Sequence, residues 1–289
     1  MEYPKNRPCR CGSGKSYETC HMDFDLKLAL LRRRGFEVPP KRLIKTPAQI
    51  AGIRRSAALN VAVLDYVAQN IGPGVTTAQI DRWVHDFTLA HGGIPAPLNY
   101  EGFPASVCTS VNQVVCHGIP SPREVLKEGD IINVDCSTNL DGFYSDSSRM
   151  FCIGNVDTER KALVNNTKKA VELGLAQVLP WQPIGNVGHA IHSFAHTFGY
   201  RVVREIGGHG IGLEFHEDPY VSFVSRPGTG MIMVPGMMFT IEPMLNLGTH
   251  RIKLDKRNGW TVRTADGSPS AQWELQVLVT ETGHEVISW

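Results

Sequence analysis

The stretch from Ile131 to Ser148 constrains the fold of this chain more than any other. It reads Ile131-Ile132-Asn133-Val134-Asp135-Cys136-Ser137, then Asp141-Gly142, then Phe143-Tyr144-Ser145-Asp146-Ser147-Ser148. Asp-Gly between two alternating runs is a strong hairpin signal. A two-residue turn there sets Asp135 opposite Ser148 and Asp146 opposite Ser137. Residues 135 and 137 share a strand face, so both aspartates project the same way, about 7–8 Å apart on a diagonal. A four-residue loop would set them directly opposite, still on one face. Like charges so placed are destabilising unless a cation sits between them. Two solvated aspartates beside a turn are the plainer alternative, and the hairpin alone leaves both open.

Three later segments favour the cation. Gly207-Gly208-His209-Gly210-Ile211-Gly212 sets a histidine among glycines, which permit close backbone approach and unusual dihedrals. Phe239-Thr240-Ile241-Glu242-Pro243-Met244 puts Glu242 in an apolar strand, and Ala271-Gln272-Trp273-Glu274-Leu275-Gln276-Val277 does the same with Glu274. A carboxylate in such a strand is destabilising unless it is paired or binds a metal. Asp135, Asp146, His209, Glu242 and Glu274 form an oxygen-rich set with one nitrogen. Four carboxylates can bridge two divalent ions about 3.5–4 Å apart.

The chain has 289 residues, 42% hydrophobic, with 29 Lys+Arg against 28 Asp+Glu. That excludes a disordered or collagen-like chain, and a net charge of +1 argues against a surface given over to nucleic acid. No apolar run approaches the roughly 18 residues of a membrane span, and the polar start is unlike a secretory signal. The charge is uneven: residues 1–45 hold 11 Lys+Arg against 5 Asp+Glu, a balance of +6, so the rest carries −5. Residues 1–8 read as a tail, 9–21 as a Cys/His knot and 22–46 as a basic linker with a short helix from Asp23 to Leu31. Thr46-Pro47 opens an amphipathic helix to about Gln69, and Thr77 opens another to about Ala90. Further helices are expected over about 158–179 and 184–198. Strands are expected at 105–111, 130–140, 143–153, 201–205, 237–242, 260–264 and 271–280. The two helix pairs echo each other weakly, 107 residues apart, which suits an α+β fold with helices on one face of a mainly antiparallel sheet and a site between two halves.

These motifs carry a resemblance. From about Leu43 to Trp289 the chain resembles type I methionine aminopeptidases of the pita-bread (creatinase-like) fold, a curved, mainly antiparallel sheet flanked by helices in pseudo-twofold halves. The matching stretches are Cys116-His117-Gly118-Ile119-Pro120, the Asp135/Asp146 hairpin, Gly208 to Gly212, Phe215-His216-Glu217, Thr240 to Met244, Gly259-Trp260-Thr261-Val262 and Ala271 to Glu274. The resemblance implies a catalytic domain over 46–289 that removes the initiator methionine of nascent polypeptides before a small second residue. It implies two divalent ions (Co, Mn, Fe, Ni or Zn) on Asp135, Asp146, His209, Glu242 and Glu274, with Asp146 and Glu274 bridging. A water shared by the ions would attack the first peptide carbonyl, with Glu242 as general base and His216 and His117 as hydrogen-bond donors. Tyr100, Phe103, Cys108, Phe215 and Trp260 are implied as the methionine pocket, where thioether-aromatic contacts suit the substrate. Three positions depart from common members: Leu275 stands where the family has His, and Glu101, next to Tyr100, and Pro97 also differ. Leu275 is expected to point away from the site. Rival readings are a prolidase or Xaa-Pro aminopeptidase of the same fold, and a non-catalytic peptide-binding module.

In the head, Cys9, Cys11, Cys20 and His21 are spaced C-x-C-x8-C-H, which suits one tetrahedral structural zinc. Gly12-Ser13-Gly14-Lys15-Ser16 lacks the earlier glycine of a phosphate-binding loop, where Cys9 stands. The segment resembles the SEC-C zinc motif, giving a zinc-bearing extension over 1–45. Its basic charge fits docking on a ribosome or chaperone; stabilising the terminus is the alternative. The odd count of seven cysteines and the absence of a secretory signal point to a reduced, cytoplasmic protein, and a monomer is expected. His189, His192 and His196 read as a helix surface rather than ligands. Met231, Met233, Met237 and Met238 read as core, and Cys136 and Cys152 as structural residues in strands.

Overall fold

The computed structural model describes residues 4–289; the first three residues of the expected tail lie outside the described residues. The head holds helices α1 (Tyr17–Cys20) and α2 (Met22–Arg33), and the body α3 (Pro47–Asn70), α4 (Thr77–Ala90), α5 (Thr158–Leu175) and α6 (Gly185–Thr197). Strands β1 to β5 are Ile94–Pro95, Cys108–Val111, Val114–Cys116, Ile131–Leu140 and Phe143–Cys152. Next come β6 (Arg201–Val202), β7 (Gly208–Gly210), β8 (Glu217–Val221), β9 (Met238–Ile241), β10 (Met244–Asn246) and β11 (Ile252–Leu254). The last are β12 (Val262–Thr264), β13 (Ser270–Gln272), β14 (Leu275–Val279) and β15 (His284–Ser288).

The expected helices form, α3 with the expected cap at Thr46. Thr46 and Thr76 each close a capping box with the glutamine three residues on, and proline occupies the first position of α3. The hairpin β4–β5 pairs Leu140 with Phe143, so its turn is the two residues Asp141 and Gly142, both at positive φ. Asp135 then faces Ser148, and Asp146 faces Ser137, in the anticipated register.

The curved sheet is divided into four hydrogen-bonded pieces, and every pairing among the described strands is antiparallel. One piece joins β1, β4, β2 and β5, and another runs β15-β14-β9-β7-β8. Two small ones are β13-β10-β6 and β11-β12-β3. The helix pairs cover separate cores. Val63, Leu64, Ile80 and Val84 of α3 and α4 pack on Ile132 and Val134, whereas Leu163, Val171, Val187 and Ile191 of α5 and α6 pack on Phe239, Ile241 and Leu275. Two halves thus enclose the ground between them.

Some strand expectations change. The run 271–280 breaks at Trp273-Glu274, because β13 and β14 belong to different sheet pieces and the chain crosses between them there. The run 105–111 starts only at Cys108, and 201–205 shortens to two residues. His209 lies on a strand, β7, where none was expected. A Cβ at Gly210 would fall 1.9 Å from the Asp218 carbonyl oxygen, so β7 and β8 approach too closely for any side chain. Cys136 is buried in β4 as expected, but Cys152 ends β5 exposed. The four methionines are buried, and His189 and His196 are exposed on α6.

The head packs onto the body. Leu28 and Leu43 join the α5/α6 core, Phe24 meets Trp181 edge-on at 5.1 Å, and the Lys27 ammonium lies 3.9 Å over the Trp181 ring. The Ile232 N–H donates to the Glu37 carbonyl at 2.8 Å, holding the linker against the body. No described helix is long and apolar enough to cross a membrane.

Candidate active site

A cavity of about 470 Å³ opens between the halves, and all ten implied metal and pocket residues line it, as do His117 and His216. Each side chain arrives there for a local reason. Asp135 and Asp146 come from facing strands of the hairpin, and the Ser137 hydroxyl donates to Asp146 Oδ1 at 2.8 Å. His209 donates its backbone N–H to Thr240 Oγ1 at 3.0 Å. Its Nδ1 is 2.9 Å from the Gly210 carbonyl, an acceptor, so Nδ1 carries the proton and Nε2 presents a lone pair to the cavity. Glu242 follows β9, with Thr240 Oγ1 donating to Oε1 at 2.7 Å and Gln272 Nε2 to Oε2 at 3.2 Å. Glu274 occupies the crossing between β13 and β14 and exchanges backbone hydrogen bonds with Ser148 at 3.2 and 3.4 Å.

Ligand-capable atoms of Asp146, His209 and Glu274 lie within 4.8 Å of one another. The other two carboxylates adjoin this trio. Glu242 Oε1 is 3.7 Å from His209 Nε2, the same distance as Asp146 Oδ2, while Asp135 bears on Asp146 and Glu274. Burial works against charging all of them. It pushes Glu242 up to about 8, against the Thr240 hydrogen bond, and Asp135 up to about 6. Asp146 and Glu274 are raised well above the usual range by burial and then by their neighbours' charges. Burial lowers His209 to about 3 and His117 to about 4, with His216 adding to each, so both imidazoles are neutral at pH 7.

This donor set fits divalent cations. Among the described residues the buried Asp135 Oδ1 has no hydrogen-bond donor and no lysine or arginine lines the cavity, and each of the five candidate ligands offers an acceptor. Hard oxygen-rich sets with one imidazole suit small divalent metals.

Beside the carboxylates stands an aromatic wall. Phe103 meets Trp260 edge-on at 5.2 Å, Tyr100 meets Phe215 at 4.9 Å, and Cys108 pairs across the strands with Asp135. His117 is held at φ 54° beside Gly118, where a Cβ would fall 1.9 Å from the Thr109 carbonyl oxygen. His117 lies 6.1 Å from Trp260, and His216 lies 4.2 Å from His209 and 5.1 Å from Tyr100, ring centre to ring centre. Pro97 and Glu101 line the same cavity, whereas Leu275 is fully buried in the α5/α6 core, away from it.

Sequence reasoning overlooked Ser137, Thr240 and Gln272, each two residues from a charged group and each bonded to a site carboxylate. The signal was there: polar residues at alternate positions of apolar strands share the carboxylates' face. It also overlooked Glu205 and Tyr220, which line the cavity. In the head, Cys9, Cys11, Cys20 and His21 converge, with His21 Nδ1 3.2 Å from both Cys9 Sγ and Cys20 Sγ. All seven cysteines are free thiols.

The metallopeptidase family M24 matches residues 51–281. A methionine aminopeptidase of Rickettsia prowazekii is 44% identical over 245 residues, covering 85% of this chain and 94% of that one. One from Chlamydia pneumoniae is 38% identical over 287 residues, 98% of each chain, so the likeness takes in the extension. The crystal structure of the Rickettsia prowazekii enzyme superposes with a TM-score of 0.84 at 43% identity, over 85% of this chain and 99% of that one. An Xaa-Pro dipeptidase from Bacillus anthracis shares the fold, at a TM-score of 0.69 and 23% identity, but this chain covers only 62% of it. The chain therefore belongs to metallopeptidase family M24, as one of its methionine aminopeptidases.

Proposed function

We propose that this enzyme releases the N-terminal methionine of nascent polypeptides whose second residue is small, using two divalent ions (Co, Mn, Fe, Ni or Zn) held by Asp135, Asp146, His209, Glu242 and Glu274. The observation that carries this reading is the buried convergence of four carboxylates and one imidazole lone pair beside an aromatic pocket. When bound, such ions supply Lewis acidity to the scissile carbonyl and acidify water. Asp146 and Glu274, each of which faces both Asp135 and Glu242, would be the two carboxylates held in common by the ions.

The remaining chemistry belongs to the chain. Glu242 accepts the nucleophile's proton and delivers it to the leaving amine; Thr240 and Gln272 hold its two oxygens in place for both transfers. Neutral His117 and His216 donate N–H bonds to the amide and to the developing oxyanion. Tyr100, Phe103, Cys108, Phe215 and Trp260 take the methionine side chain, and thioether-aromatic contacts fit it. Methionine release from Met-Ala, Met-Leu and Xaa-Pro peptides, with manganese or cobalt supplied, tests this reading. Release from Met-Ala alone is expected, and none at any metal loading refutes it.

We read residues 1–45 as an SEC-C-like extension with one structural zinc on Cys9, Cys11, Cys20 and His21, and 46–289 as the catalytic domain. The extension's +6 balance suits RNA phosphates, hence docking on a ribosome or its chaperones, in a monomeric cytoplasmic enzyme.

A further inference from the structure

The stretch from Ile211 to His216 presents Phe215 and His216 to the cavity, yet it is neither strand nor helix. Its fastening is Glu217. One carboxylate oxygen, Oε1, accepts the backbone N–H groups of Leu213 at 2.8 Å and Glu214 at 3.1 Å. The other, Oε2, is paired with the Lys45 ammonium. Both side chains are withdrawn from water, Lys45 at 1% and Glu217 at 9% exposure. Lys45 is itself fixed, since its N–H donates to the Gly236 carbonyl at 2.8 Å. Gly212 passes so close that a Cβ there would lie 3.2 Å from Lys45 Cε.

We infer that Lys45 is a positioning residue for His216 and Phe215: its ammonium holds the Glu217 carboxylate where that group fastens the 213–216 turn. A buried carboxylate without its cation takes a proton or turns toward water, and either change weakens its hold on two amides. Lys45 lies outside that cavity's lining, and among the described residues its ammonium bonds to Glu217, so its route to the site is the turn. The Arg42–Asp218 pair nearby is exposed and adds little. Because residues 42–45 lead directly from the head, the last residues of the extension reach the active-site turn. The catalytic part of this inference rests on the proposed role of His216.

The test uses the full chain with metal bound. Lys45→Met keeps the side-chain length and removes the charge. Hydrogen exchange in a peptide over 211–217 is expected to speed up about tenfold, the worth of one hydrogen bond, while a peptide over 108–116 is unchanged. Turnover of a Met-Ala peptide falls about 10- to 100-fold, as for a misplaced catalytic group. The same substitution in a His216→Ala background costs little more. Lys45→Met with Glu217→Met removes the lone buried carboxylate and so restores folding where the single variant fails. It leaves the two amides without their acceptor, so turnover stays low. Unchanged exchange over 211–217 in Lys45→Met overturns the inference, as does full turnover in the double variant at restored melting temperature. If His216→Ala alone leaves turnover intact, the role of His216 fails, and exchange over 211–217 still decides for Lys45.

Discussion

Stripping the divalent ions should make the stability of the fold decline as pH rises above neutrality. Glu242 ionises near 4.5 in an unfolded chain and is pushed up to about 8 in the fold, chiefly by burial. A carboxyl raised in this way binds its proton more tightly when folded, so its contribution is fully present below pH 4.5 and is lost as pH rises through 8. Between pH 7 and 8.5 that loss is about 1 kcal/mol from Glu242 alone. Asp146 and Glu274, also raised, add to it in the same direction. For a chain of this size the Glu242 share alone corresponds to roughly 2 °C in melting temperature. The window matters because His117 and His209, lowered to about 4 and about 3, act oppositely. Unfolded imidazoles charge below about 6.5 and the buried ones do not, so they raise stability with pH only up to that point.

The assay is thermal unfolding of the chelator-treated and metal-loaded enzyme from pH 7 to 8.5. The stripped form should lose several degrees across the window relative to the loaded form, in which cations meet the carboxylates as charges. Buried thiols of Cys108, Cys116 and Cys136 are pushed up first by burial, which is common to both forms and drops out of the difference. Asp146→Asn with Glu274→Gln removes two of the crowded charges and should flatten the slope of the stripped protein. A stripped enzyme whose melting temperature holds or rises from pH 7 to 8.5, in parallel with the loaded enzyme, refutes the reasoning.

Three further outcomes follow from single contacts. Gly210→Ala drives a Cβ to 1.9 Å from the Asp218 carbonyl oxygen, so β7 and β8 must part; calorimetry should show a loss of about 3 kcal/mol or more, together with loss of activity. Thr240→Val keeps the shape but takes the acceptor from the His209 N–H and the donor from Glu242 Oε1, which should cost about 1–3 kcal/mol in denaturant unfolding. Cys9→Ser with Cys11→Ser should lower zinc content by one ion per chain in elemental analysis while methionine release by the body persists.

The hairpin was legible because a two-residue turn leaves one register, and that register alone sets Asp135 and Asp146 on a common face. Strand β7 was not, because the glycines that allow it to approach β8 and Thr240 are also the composition of a loop. The break at Trp273-Glu274 was hidden for a related reason: an apolar run looks the same whether it stays in one sheet or crosses between two. The head's Cys/His spacing announced a metal knot, but nothing local in Phe24 or Lys27 pointed to Trp181, since that docking depends on where the body's core surfaces.

Within the site, legibility followed the energetic penalty. Glu242 and Glu274 stood out because a carboxylate in an apolar strand is unfavourable by itself, and His209 because glycines surround it. The groups that offset the penalty were silent. Thr240 and Gln272 fix the two oxygens of Glu242, and Ser137 fixes one of Asp146, yet each is a neutral residue that strands accommodate without comment. Lys45 and Glu217 are charged, but 172 positions separate them, and each alone reads as surface. A buried charge therefore discloses that something must compensate it, while the identity of the compensator is a property of the fold. That is why the five candidate ligands emerged from the sequence as a set, and why the residues that hold them and the 213–216 turn in place emerged only with the structure.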